Sequence, residues 1–349
     1  MSTKTKGLLQ RLHDGEFIIC AEGYSFYFER EGYLQLGPGV PMIVKEHPEL
    51  VKNSYRTFVR AGSDVVLAFT YYGHRAKLAV IGKEDLVEEI NKSALRMARE
   101  VADETGTLMA GNLCNTNIYN ADDAERIEQI KEMFREQVEW AVEAGADFIL
   151  AETYTYYGEA LLALETIKQY GKGLPAVLTL APFVVPTKNG HAVTADKVLL
   201  SDACAKLKSA GASVVGLNCG RGPDSIIPLM KEIKDACLLG PLAAIPVPYR
   251  TTKEEPTFFM LKDPMTDKPV FYSHDTDIFY CSREDIKRFG STCKEMGIQF
   301  VGVCCGNRPF YTCALAESLG RSPEASLYTP DMSRHYVYGV NPKVKKRRG

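Results

Sequence analysis

Short apolar runs alternate along this chain with stretches of helical period, and a glycine often stands where a helical stretch gives way to a run. Leu8, Leu9 and Leu12 share one face of a predicted helix over 6–12, and the first run follows at 17–21. The same unit then recurs. Helical patterning at 51–61 passes through Gly62 into a run at 65–69. A helix at 85–104, with Val87, Ile90, Ala94, Met97, Ala98 and Val101 on one face, leads to 107–110. Another at 122–144 gives way through Gly145 to 147–151, and 159–170 leads through a glycine-rich link to 176–180. Further on, 194–209 precedes 214–217, 225–236 precedes 242–247, and 284–295 precedes 299–303.

Eight runs of strand length, most of them preceded by an amphipathic helix, predict an α/β protein built as a single (β/α)8 TIM barrel. A doubly wound sheet would carry a glycine fingerprint after its first strand, and the AEGYSF found there contains no GxGxxG. The barrel is assigned to residues 1–325 and a carboxyl-terminal tail to 326–349. Residues 247–280, rich in proline, threonine and charge and without helical period, read as a long insertion between strands 7 and 8, placed to act as a lid.

Composition narrows the class. The chain of 349 residues has a formal net charge of −2, so it lacks the basic surplus of a nucleic-acid binder; only the tail KVKKRRG is basic. The polar start MSTKTKGLLQRLHDGE has no signal-peptide core and no membrane span, which leads to the expectation of a soluble, cytoplasmic protein. Ten cysteines at irregular spacings, several inside apolar runs, read as reduced residues rather than a disulfide framework. Cys20, Cys114, Cys204, Cys237, Cys281, Cys293 and Cys313 are expected to be small buried hydrophobes.

The remaining three are different. VGVCCG ends a run with Cys304 and Cys305, and VVGLNCG ends another with Cys219. In a barrel of this kind the chemistry sits at the carboxyl ends of the strands, where the chain also places Glu22, Gly23, Thr70, Tyr72, Asn112, Glu152, Pro248 and Tyr249. Strands six and eight are two spacings of ~4.8 Å apart, so the three thiols can converge on one ion. Zinc suits such a set, with a fourth position left open for water or substrate, whereas an iron–sulfur cluster would want a fourth nearby cysteine. A dication among three thiolates carries one net negative charge, which makes it a holder of an incoming thiolate rather than an activator of water. Alkyl transfer to that bound sulfur is the expected reaction, with no protein nucleophile.

These residues resemble the zinc-dependent homocysteine S-methyltransferases, most closely the betaine-homocysteine branch. The similarity runs through KGLLQRLHDGEFII, EREGYLQLGP, EHPELV, FVRAGSDVVLAFTYY, ILAE, AGASVVGLNCG and VGVCCGNRPFY, up to about Ala325. The resemblance implies a (β/α)8 barrel in which Cys219, Cys304 and Cys305 bind zinc and homocysteine sulfur takes the open position. It implies that Glu152 receives the substrate ammonium, with Glu22 where the family has aspartate and Gly23 beside the substrate carboxylate. Tyr72 matches a donor-binding tyrosine, and Tyr71, Thr153 and His74 join the donor-side candidates. The family's tryptophan after the GP turn is Gly39 here, and its tyrosine after the strand-four glutamate is Thr153. Each lost ring costs a desolvated onium site about 1–2 kcal/mol. The expected function is methyl transfer from a betaine-like onium donor to homocysteine, giving methionine. The alternatives are a sulfonium donor such as dimethylsulfoniopropionate or S-methylmethionine, and a zinc- and thiol-binding relative without turnover. The expected partners are these small molecules, with no nucleic acid or membrane and with a homo-oligomer left open.

Overall fold

The computed structural model describes residues 6–183, 190–236, 240–270, 276–335 and 339. Eight strands form a closed parallel barrel in chain order: β1 (Ile18–Ala21), β2 (Val65–Leu67), β3 (Leu108–Cys114), β4 (Phe148–Tyr154), β5 (Ala176–Leu180), β6 (Val214–Asn218), β7 (Leu242–Ile245) and β8 (Phe300–Val303). The ring closes where β8 pairs with β1, with Cys20 opposite Gly302 and Ala21 opposite Val303. Every residue of every strand is buried. That is why the strands read as continuous apolar runs: one face fills the barrel and the other is covered by helices. Inside, Phe148 and Phe300 meet edge to face with ring centroids 6.0 Å apart.

Helices Pro48–Arg60, Val87–Thr105 and Ala124–Glu143 bury one apolar stripe each against this sheet, as their spacing predicts. Three local outcomes differ from the sequence reading. The helix expected over 194–209 begins only at Leu200, because Thr194 and Val198 exchange hydrogen bonds and close a turn ahead of it. β3 and β4 run to Cys114 and Tyr154, so Asn112 and Glu152 project from the strands themselves rather than from the loops after them. Helices Tyr24–Arg30 and Pro309–Ser318 gave no periodic signal. The first is short and aromatic, and the second is buried without a break from Tyr311 to Ala316.

The described residues of the segment 246–282, between β7 and the helix Arg283–Met296, include the 3-10 turns Phe258–Met260 and Thr276–Phe279. Residues 271–275 lie outside the described residues, as do Cys237 and the basic end of the tail.

At the opposite end of the barrel Asp64 ties the chain together. Its carboxylate accepts from Arg11 at 2.7 Å, from Arg321 at 2.5 Å and from the Ile19 amide at 2.7 Å. The Asp64 and Arg11 side chains are 14% and 15% exposed, so removing the carboxylate takes one anion from two largely buried guanidiniums, leaving Arg11 with Glu16 and Arg321 with the Phe17 carbonyl. Asp64→Ala is expected to cost about 2 kcal/mol and to lower the calorimetric Tm by roughly 5 °C.

Candidate active site

Cys219 follows β6 directly, and Cys304 and Cys305 follow β8. The end of β7 braces both loops, because Ile245 and Pro246 present adjacent carbonyls to the amides of Cys219 (2.9 Å) and Cys304 (2.8 Å). The sulfurs of Cys219 and Cys305 are 3.6 Å apart and those of Cys304 and Cys305 3.9 Å, and all three lie within 4.8 Å of one another. A tetrahedral ion with sulfur bonds of ~2.3 Å needs its ligands about 3.8 Å apart, so the donor set fits a soft metal ion. Hydrogen bonds from Cys304 and Cys305 hold the Cys219 thiol well below its usual range, while burial pushes Cys304 up.

The backbone is strained where it carries these groups. Tyr72, Thr153 and Cys219, at the ends of β2, β4 and β6, have φ of 60°, 64° and 59°, a left-handed conformation that non-glycine residues seldom adopt. Gly23 has φ 75°, and a Cβ there would overlap the Cys304 carbonyl. Glycine is what lets the end of β1 close against the thiol pair.

Two buried carboxylates lie beside the thiols. Glu22 is 1% exposed and Glu152 4%. Asn112 donates to Glu152 Oε1 at 2.7 Å, and Thr153 Oγ1 donates to Oε2 at 3.1 Å. Asn218 ties the group together: its amide nitrogen reaches Glu152 Oε2 at 3.0 Å, Thr153 Oγ1 at 2.8 Å and Glu22 Oε2 at 3.3 Å, and its oxygen accepts from the Thr153 amide at 2.9 Å. Glu22 Oε1 is buried with no hydrogen-bond partner among the described residues. Burial and then the neighbouring Glu152 push the Glu22 carboxyl well up, and burial raises Glu152 to about 7. A pair of this kind waits for a cation.

Asn218 was not among the residues singled out from the sequence. Its one signal is that it is the polar residue closing an otherwise apolar run, one position before Cys219.

Two hollows meet at the thiols. The smaller, about 30 Å³, is lined by Gly23, Asn112, Glu152, Thr153, Cys304 and Cys305 among others. The larger, about 410 Å³, has Cys219 and Cys305 in its wall with Phe26, Tyr71, Tyr72, Thr153, Tyr156 and Phe183. Phe258 and Phe259 of the 246–282 segment complete that wall, Phe259 packing edge on against Phe183 at 4.8 Å. Tyr24, 3% exposed, also lines the smaller hollow, whereas Tyr154 is 0% exposed and lines neither.

His74 lines neither hollow and is 1% exposed. The turn after Tyr72 carries it inward, and burial pushes its pKa down to about 4. Its neutral form therefore contributes stability that is lost as pH falls from about 6.5 through about 4, up to about 3 kcal/mol. His74→Leu is expected to flatten the decline in Tm between about pH 7 and about pH 4.5; parallel declines in the two proteins would count against this.

A closed parallel barrel that gathers three thiols and two carboxylates at the carboxyl ends of its strands, beside an aromatic cavity, has the construction of a barrel enzyme with a thiolate metal centre. The homocysteine S-methyltransferase family model matches residues 30–319, and the chain belongs to that family. It is 32% identical to betaine–homocysteine S-methyltransferase 1 of Xenopus tropicalis, over 96% of this chain and 80% of the relative. It is 31% identical to the S-methylmethionine–homocysteine S-methyltransferase BHMT2 of Pongo abelii, over 96% of this chain and 86% of the relative. The fold matches the metallated form of the homocysteine methyltransferase MmuM from Escherichia coli with a TM-score of 0.66, at 20% identity over 88% of this chain and 99% of that one. No helix of the described residues is long and apolar enough to cross a membrane.

Proposed function

We propose that this enzyme uses zinc held by Cys219, Cys304 and Cys305 to transfer a methyl group from an onium donor to homocysteine, giving methionine. The observation that carries the reading is the convergence of three thiols at the junction of a carboxylate-lined hollow and an aromatic cavity. Bound zinc supplies the acidity that keeps a coordinated thiol deprotonated near neutral pH.

The protein's own residues do the rest. Glu22 and Glu152 receive the homocysteine ammonium, which is the cation their mutual repulsion calls for. Asn112, Asn218 and Thr153 hold Glu152 in one rotamer, so the amino acid is oriented before the donor arrives. The rings of the larger cavity take the onium and keep water from it. The homocysteine sulfur then attacks the donor methyl in line. A sulfur–carbon bond forms as the bond from methyl to the onium atom breaks, and that atom leaves neutral with the electron pair. No protein base is required at the methyl carbon.

A sulfonium donor is the second reading, favoured by the wall of the larger cavity. Leu36, Gly37 and Val40 line the stretch around Gly39, and Thr153 lines the position after Glu152. Methionine formation from homocysteine with betaine, dimethylsulfoniopropionate and S-methylmethionine, before and after chelation, tests both readings. Turnover that survives complete zinc removal would sink the first, and a clear preference for betaine would sink the second.

A further inference from the structure

Among the described residues, the larger cavity has one ionisable side chain in its wall apart from its tyrosines and thiols, the carboxylate of Glu159. We propose that Glu159 is the residue that determines donor specificity, by holding a cationic amino group that the donor carries in addition to its onium centre. The proposal rests on the methyl-transfer reading above and adds the class of donor to it.

Glu159 sits in the first turn of the helix Tyr157–Tyr170 and is 1% exposed. Its Oε1 accepts from the Thr116 amide at 2.7 Å and from the Thr116 hydroxyl at 2.5 Å. Those two bonds fix the carboxylate. They engage one oxygen only, and among the described residues Oε2 has no hydrogen bond, so a full acceptor is left to a ligand.

The rest of the wall matches a cation. Tyr71, Tyr72, Tyr119, Tyr156, Phe183 and Phe259 contribute rings, and Asn115 and Asn117 contribute amides. No lysine, arginine or histidine lines this cavity among the described residues. Lys77 stands outside the wall: its ammonium covers the Tyr72 ring, 4.0 Å from the centroid, and donates to Asn117 at 3.3 Å.

Ring faces alone suffice for a quaternary or tertiary onium, which has no N–H to donate. A primary ammonium does need acceptors, and a buried carboxylate gives it the strongest one available. Every one of these donors brings a carboxylate, for which the described wall offers no basic partner, but a sulfonium amino acid also brings an ammonium that pairs with Glu159 and offsets that cost, whereas betaine and dimethylsulfoniopropionate bring none. The cavity therefore suits a sulfonium amino acid better than an onium acid of those two kinds.

Glu159→Gln is the discriminating variant, since its amide oxygen can keep both Thr116 bonds while the charge is lost. KM for S-methylmethionine is expected to rise about 10–100-fold with kcat within roughly 3-fold, the range of a lost charged hydrogen bond. KM for trimethylsulfonium, which has the onium and no amino group, is expected to change by less than roughly 3-fold. Equal losses on both donors, or a wild-type preference for betaine, would overturn the assignment. Calorimetry of the same donors on the zinc-loaded protein separates this idea from the one beneath it. If S-methylmethionine binds, weakens in Glu159→Gln, and yet gives no methionine, Glu159 keeps its role and the methyltransferase reading fails. Neither binding nor turnover with any cationic donor would overturn both.

Discussion

Cys304→Ala is expected to leave a folded barrel that no longer retains stoichiometric zinc and forms methionine at least about 10³-fold more slowly. Cys304 is 3% exposed, its amide is anchored to the Pro246 carbonyl, and its sulfur lies near both other thiols. A small residue at this position keeps the backbone turn, so the loss falls on the donor set. Two thiols and one vacant corner hold a divalent ion far more weakly than three. The acidity that keeps the substrate thiol ionised goes with the ion, and a loss of about 4 kcal/mol of activation corresponds to the rate effect stated. Zinc content by mass spectrometry or a chromogenic chelator, together with methionine formation, checks it. Full zinc occupancy with full activity in the variant would remove Cys304 from the metal site.

Glu152→Gln carries the second large effect, and its character is different. Homocysteine affinity is expected to fall roughly 30- to 1000-fold while zinc content stays at the wild-type level. The carboxylate is 4% exposed and held by Asn112, Asn218 and Thr153. An ammonium brought into that hollow with Glu22 as its one remaining carboxylate loses about 2–4 kcal/mol. Glutamine keeps the shape and some of the hydrogen bonds, so the barrel is expected to remain intact. Homocysteine titration calorimetry on the zinc-loaded variant reads the effect directly. A loss of zinc in parallel with homocysteine would instead assign Glu152 to the metal, as part of the second cluster that brings Glu22, Glu152 and Cys304 within 4.8 Å of one another.

The parts of this protein legible in the chain share a physical cause. Strands buried on both faces must be apolar along their whole length, so the eight runs stand out, and two of them end in cysteine where a barrel presents its chemistry. Glu22, Gly23 and Glu152 were readable for the same reason, as residues at or near the ends of runs. Asn218 and Glu159 were harder to see, because nothing in their neighbourhood distinguishes an asparagine that bridges two carboxylates, or a glutamate that faces a cavity, from ordinary polar residues. His74 shows the reverse error. Its place two residues beyond Tyr72 suggested the donor site, but the turn after β2 buries it in the wall of the fold.

The sequence alone, through its periodicity and the residue types at the ends of its runs, determined the barrel and the candidate thiol ligands. Only the tertiary structure decided which side chains meet: that Asn218 reaches Glu22 across the barrel mouth, that Phe258 and Phe259 of a distant segment close an aromatic wall, and that Glu159 is the charged group left facing it apart from the thiols. The reason is geometric. Periodicity records whether a residue is buried and on which face, a local property of the chain. Distances across a closed barrel depend on strand register and loop path, which come from all eight units at once.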